Sequence, residues 1–176
     1  MSNAPIYLKF VHQTVQEALL HSGPENQRKN TMPLDTSTAL SACTQVTHQM
    51  FYFLDESRYE PLVALFSENG TLFRQGELLV GRDKIMQAML KRSTTQRIRH
   101  VISNTLIESQ SPGLANVVAY MMAYRFDDGT PHIGAVEINR PFRMSIVRAT
   151  MRQTQNSWQI TEMTFTPEFD FVSESR

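Results

Sequence analysis

The chain is poor in cysteine: Cys43 is the only one among 176 residues. A single thiol forms no internal disulfide and builds no thiolate metal cage. Long apolar runs are missing too. The longest extends only from Val117 to Tyr124, far short of the roughly 20 residues a spanning helix needs. Near the start, Lys9 and His12 interrupt the apolar core that a signal peptide requires. There is no surplus of either charge, since 17 Lys and Arg balance 17 Asp and Glu. Nucleic acid and anionic membranes both select a basic excess, so neither is an expected partner. His12, His21, His48 and His132 show no metal-ligand spacing, and no metal is expected. These absences predict a cytoplasmic protein.

Apolar residues make up 41% of the chain and charged residues 19%, as in an ordinary globular domain. The length suits one domain with terminal extensions. Apolar residues at helical spacing predict a first helix over 5–22, followed by a polar linker that runs to Pro33. A second helix carries Leu40, Cys43, Met50 and Leu54, with Asp35, Thr36 or Ser37 as its cap. A short helical pattern covers Tyr59 to Phe66. Asn69-Gly70 then reads as a turn before a short strand, Thr71 to Arg74, and Gly81 precedes another helix. Beyond it, segments 98–108, 115–126, 142–154 and 157–166 are rich in β-branched and alternating residues. Helices first and long strands after predict an α+β domain, with a curved antiparallel sheet wrapped over the helices into a cone. The open end of such a cone suits a small ligand.

Strand 98–108 places Ile98, His100, Ile102, Asn104 and Leu106 on one face by its period of two. A histidine and an asparagine among aliphatics need polar partners. Asp55, at the end of an otherwise apolar helix, is the natural partner for His100. Two readings fit the pair. Either His100 is a satisfied core residue and Asp55 a polar helix stop, or Asp55 fixes the imidazole tautomer and leaves the other nitrogen to take a proton. Two basic clusters have two readings each: Lys91/Arg92/Arg97/Arg99 as a solvated loop or a charged rim of the pocket mouth, and Arg140/Arg143/Arg148/Arg152 as solvated outward strand positions or a basic groove. The neutral total favours an uncharged ligand.

Four short segments stand in order: Phe53-Leu54-Asp55-Glu56-Ser57-Arg58-Tyr59, Leu65-Phe66-Ser67-Glu68-Asn69-Gly70, Gly81-Arg82-Asp83-Lys84-Ile85 and Arg99-His100-Val101-Ile102-Ser103-Asn104. Together they resemble the SnoaL-like branch of the nuclear-transport-factor-2-like superfamily, whose fold is a cystatin-like roll. Within it the chain is similar to scytalone dehydratases and hexachlorocyclohexane dehydrochlorinases. That resemblance implies an Asp–His pair, matching Asp55 and His100, with the histidine as general base of a cofactor-independent β-elimination. It also implies a pocket serine at Ser145 and a homodimer through the exposed sheet face.

The departures are specific. Leu54 stands where scytalone dehydratases have a tyrosine, Phe73 or Arg74 where they have a second, and Met50 where related enzymes place a lysine or tyrosine. Tyr120 and Tyr124 share one strand face, and two readings fit them: substitutes for the missing tyrosines, or ordinary aromatic core. The expected substrate contacts are therefore Asn104, Tyr59, Tyr120, Tyr124, Phe73, Met86 and Ser145. The domain expected from the resemblance spans 37–171, after an extension at 1–36 and before a tail at 172–176. The expected function is a dehydratase-type lyase acting on a small hydrophobic cyclic molecule. The β subunits of ring-hydroxylating dioxygenases share the pattern around Ile98–Asn104. A non-catalytic ligand-binding or assembly protein of the same fold is therefore the alternative.

Overall fold

A computed structural model describes residues 34–155 and 157–171. The expected helix 5–22, its linker and the tail 172–176 lie outside the described residues. Three helices, α1 (Leu34–Asp55), α2 (Tyr59–Ala64) and α3 (Arg82–Leu90), accompany six strands. The strands are β1 (Phe66–Arg74), β2 (Glu77–Val80), β3 (Arg97–Ser111), β4 (Leu114–Phe126), β5 (Arg143–Gln153) and β6 (Trp158–Asp170). No described helix is long and apolar enough to cross a membrane.

Ala39, Cys43, Val46, Met50 and Leu54 are buried along α1, the i, i+3, i+4 stripe of an amphipathic helix. They join Leu72 of β1, Met121 of β4, Met151 of β5 and Ile160 of β6 in one apolar cluster. Each Val, Leu, Ile or Met among them contributes about 1.5–3 kcal/mol on full burial. Within the helix, Thr47 is buried and polar, and its hydroxyl donates to the Cys43 carbonyl at 2.9 Å.

The six strands form one curved sheet in the order β2-β1-β6-β5-β4-β3. The α+β class with a sheet wrapped over helices is as expected. One detail differs, because β1 and β6 pair in parallel while every other neighbour is antiparallel. Asn69-Gly70 is not a turn between elements either. It lies inside β1, where the register against β6 shifts between Phe66 and Thr71. Gly70 is there for lack of a side chain: a Cβ on it would stand 2.9 Å from the Ile160 carbonyl oxygen. The true hairpin turn is Gln75-Gly76, with φ of 53° and 81°, which leads into β2, an element the sequence pattern did not reveal. Two successive positive φ values match the twist of paired strands.

The Gly81-Arg82 segment acts as a clamp. Arg82 Nε donates to the Phe66 carbonyl at 2.8 Å, and its Nη2 reaches the carbonyls of Phe66 and Ala64. Gly81 N–H donates to the Gly70 carbonyl at 2.8 Å. The segment thereby ties the end of α2 and the start of β1 to α3.

Candidate active site

Asp55 closes α1 in a defined C-terminal motif. Arg58 N–H donates to the Phe53 carbonyl and Ser57 N–H to the Leu54 carbonyl, with Ser57 left-handed at φ 53°. This 6→1 and 5→2 pair ends the helix sharply and satisfies its last carbonyls. Arg99 of β3 adds a donor to the Asp55 carbonyl at 3.2 Å and pairs with Glu56 at 3.1 Å. The Asp55 carboxylate is thus aimed at β3. Its Oδ2 accepts the backbone N–H of His100 at 2.8 Å, and its Oδ1 lies 2.5 Å from His100 Nδ1. Only 6% of the histidine side chain and 8% of the aspartate side chain remain exposed. Phe51 packs on the imidazole with ring centroids 5.2 Å apart. A carboxylate beside Nδ1 takes the proton on that nitrogen as a hydrogen bond and leaves Nε2 with a lone pair. Nε2 has no protein partner among the described residues, yet no buried side-chain nitrogen or oxygen lacks one. Nε2 is therefore accessible from the cavity that His100 lines.

That cavity measures about 390 Å³, within the range of small-molecule sites. Its floor is apolar: Met50, Phe51, Leu54, Leu72, Met121 and Phe165. Its polar wall holds Ser145, which is 1% exposed. Around these stand five cations, Arg74, Lys91, Arg92, Arg125 and Arg143, with Glu77 the one carboxylate lining the cavity. Burial, followed by the like charge of Arg92, lowers the pKa of the Arg74 guanidinium, while Glu77 and Tyr59 oppose the shift. Among the described residues, no group of three His, Cys, Asp or Glu side chains converges to hold a metal.

The structure brings together three of the expected residues, His100, Asp55 and Ser145, and sets the others elsewhere. Asn104 sits in a bulge of β3 at φ 53°, where Ser103 pairs with Tyr120 and Leu106 with Val118. The extra residue reverses the faces up to the next register shift, between Ile107 and Ser109, so Asn104 and Leu106 are exposed and Thr105 and Ile107 turn inward. Tyr120 and Tyr124 do share a face, but Met121, Ala123 and Arg125 of the same strand line the cavity. By the period of two, the tyrosines lie on the other side of the sheet. Phe73 is likewise displaced, since Leu72 and Arg74 flank it and both line the cavity. Tyr59 packs against the core without reaching the cavity wall, and α3 presents Ala88 and Met89 there in place of Met86.

Lys91 and Arg92 stand at the cavity mouth, as the rim reading of their cluster has it, while Arg97 and Arg99 do not line it; Arg143 joins them, and so do Arg74 and Arg125, which no sequence cluster singles out. The available signal was phase: Arg74 follows Leu72 by two residues and Arg125 follows Ala123 by two, so each shares its strand's inward face.

A family model described as a SnoaL-like domain matches residues 35–164. No curated protein matches the chain. Among solved structures, a candidate scytalone dehydratase from Novosphingobium aromaticivorans is similar at 20% identity and TM-score 0.66, covering 81% of this chain and 93% of that one. The β subunit of a candidate aromatic-ring-hydroxylating dioxygenase from the same organism is similar at 12% identity and TM-score 0.64, covering 78% and 94%. A protein of unknown function with a cystatin-like fold from Nostoc punctiforme follows at 16% identity and TM-score 0.60, covering 72% and 89%. At these identities the structures share the fold. The family match extends from the first turn of α1 into β6 and takes in both Asp55 and His100; the chain belongs to the SnoaL-like family of the nuclear-transport-factor-2-like superfamily.

Proposed function

We propose that this protein is a cytoplasmic, cofactor-independent lyase of the dehydratase type, with His100 as general base and Asp55 as its orienting partner. The observation that carries the reading is the buried Asp55–His100 pair in the wall of a mostly apolar-floored cavity. In a cyclic β-hydroxyketone, Nε2 of His100 takes the proton α to the carbonyl. The C–H electron pair forms the C=C bond, the C–O bond to the β-hydroxyl breaks, and the imidazolium returns its proton to the departing hydroxide as water. Asp55 stabilises the imidazolium between the two transfers. A positioned base of this kind contributes about 10²–10⁴-fold.

The tyrosines that assist such chemistry in scytalone dehydratases are absent. Leu54 and Met50 line the cavity where the resemblance implies polar residues. Ser145 of β5, one strand beyond β4 from His100, lines the same cavity and supplies a hydroxyl for orienting the substrate oxygen. Two copies of the chain are proposed to meet through the outer sheet face, where Val101 is 55% and Tyr120 39% exposed.

The test is a panel of cyclic β-hydroxyketones incubated with wild type and His100→Ala, monitoring the conjugated enone by absorbance. Turnover by wild type that is abolished in His100→Ala is the expected result. Turnover unaffected by the substitution overturns the dyad assignment. No turnover of any member favours the non-catalytic, assembly-type alternative, whose fold is equally represented among the similar structures.

A further inference from the structure

The rim of the cavity is more cationic than an uncharged ligand requires. Arg74, Lys91, Arg92, Arg125 and Arg143 come from four separate stretches, β1, the end of α3, β4 and β5, and meet on one opening. Of these, only Arg143 makes an ion pair among the described residues, to Asp170 at 2.5 Å. Arg125 stacks 4.0 Å over the Phe142 ring, and Arg92 donates to Gln96 at 3.1 Å. Arg74 is the most telling. It projects from the inward face of β1, and its hydrogen bond among the described residues goes to the Met89 thioether at 3.9 Å, a weak acceptor. A largely buried guanidinium has five donors and prefers a bidentate oxyanion. Its Cα partner across the hairpin, Glu77, makes no ion pair with it. Leaving cations together in a half-enclosed site is costly unless an anion joins them.

We propose that the ligand is an amphipathic anion, an apolar ring system bearing a carboxylate, with the ring on the Met50/Leu54/Met121 floor and the carboxylate held by Arg74 and Arg92. This rests on the cavity being the ligand site, as the proposed function has it, and not on His100 being a base. It replaces the uncharged molecule that the neutral composition favours: the charges balance over the chain, but the cavity lining carries five cations against one carboxylate.

Binding separates this proposal from the proposed chemistry. Titration calorimetry on the full chain compares 2-naphthoate, phenylacetate and benzoate with their isosteric primary amides, in wild type, Arg74→Met, Arg74→Lys and Arg148→Gln. Arg148 pairs with Glu108 on the exposed surface and serves as control. The expected result is tighter binding of at least one acid than of its amide, by roughly 10–100-fold for a charge-assisted pair. Arg74→Met should remove that preference, Arg74→Lys should restore part of it, and Arg148→Gln should leave it intact. His100→Ala should keep the preference even where turnover is lost. The proposal is overturned if no acid is preferred over its amide, or if Arg74→Met, shown folded by circular dichroism, retains the preference.

Discussion

Asp55 spends both carboxylate oxygens on one residue: Oδ1 lies 2.5 Å from Nδ1 of His100, and Oδ2 accepts the His100 backbone N–H at 2.8 Å. The second bond sets where the strand carries the imidazole, and the first sets which nitrogen holds the proton. Asp55→Asn separates the two roles. The amide offers one acceptor and one donor. With its oxygen toward the backbone N–H, the NH₂ faces Nδ1 and moves the ring proton to Nε2, where no lone pair remains. We expect activity to fall by about 10²-fold or more, with near-native circular dichroism and a changed ¹⁵N chemical-shift pattern of the ring. Unchanged activity, or a ring that still carries its proton on Nδ1, contradicts the orienting role.

Ser57 holds a left-handed conformation at the C-terminus of α1, the position that glycine occupies at the lowest backbone cost. Its N–H bond to the Leu54 carbonyl uses the backbone alone. Ser57→Gly should therefore keep both capping bonds and relieve strain of about 1 kcal/mol. The melting temperature should rise by about 2–4 °C for a chain of this size. A fall shows that the serine side chain, and not the backbone, holds the helix end.

Much of this site was legible in the sequence, and the limits have physical causes. The α1 stripe and the long strands follow from side-chain periodicity, and Asp55 and His100 stand out as polar groups on apolar faces. Asn104 was misplaced because a period of two has no memory of an inserted residue; the bulge at Ser103–Leu106 exchanges the faces until the next shift, at Ile107–Ser109. Tyr120 and Tyr124 were misplaced because β4 carries large apolar residues on both faces, which hides its phase. Asn69-Gly70 looks like a turn because sequence reports a glycine without reporting whether its φ or its missing Cβ is needed. Only the Lys91/Arg92 part of the basic rim shows as a sequence cluster, because the rim assembles residues from β1, the end of α3, β4 and β5.

Cys43 is fully buried in the core face of α1, and burial pushes its thiol from 9.0 up to about 11. At pH 8 the folded protein should react with a thiol-specific disulfide reagent far more slowly than the unfolded chain, since only the thiolate attacks. The linkage has a definite sign. The unfolded thiol ionises first, so this group's contribution is complete below pH 9 and is lost as pH rises through about 11. Cys43→Ala should flatten that alkaline decline in denaturation midpoint. An identical decline in the variant assigns it to other groups.

The outer sheet face gives a separate prediction for assembly. Val101 pairs with Met122 and Ser103 with Tyr120 across β3 and β4, so Val101 and Tyr120 share one exposed face. If two copies meet there, Val101→Glu should place a charge in the contact and yield a monomer by light scattering, without disturbing Asp55 or His100. A wild-type monomer at micromolar concentration, or a Val101→Glu dimer, moves the interface elsewhere.

Gly70 tests whether β1 is held to β6 by close backbone approach. An added Cβ would meet the Ile160 carbonyl oxygen at 2.9 Å, the Ser67 carbonyl oxygen at 3.0 Å and the Phe66 Cβ at 3.2 Å. Two of these are backbone atoms, so no rotamer change relieves the contact, and the parallel pairing itself must shift. Overpacking of this kind costs about 1–3 kcal/mol. Gly113→Ala is the matched control: its Cβ meets nothing within 4 Å, but its φ of +71° carries the ordinary left-handed cost of about 1–2 kcal/mol. The two variants should differ less in stability than in consequence. Gly113 lies in the β3–β4 turn, whereas Gly70 stands two residues from Leu72 and four from Arg74, both of which line the cavity. Gly70→Ala should therefore weaken ligand binding as well as lower the denaturation midpoint, and Gly113→Ala should lower only the midpoint. Equal binding by both variants shows that β1 absorbs the shift before it reaches Leu72.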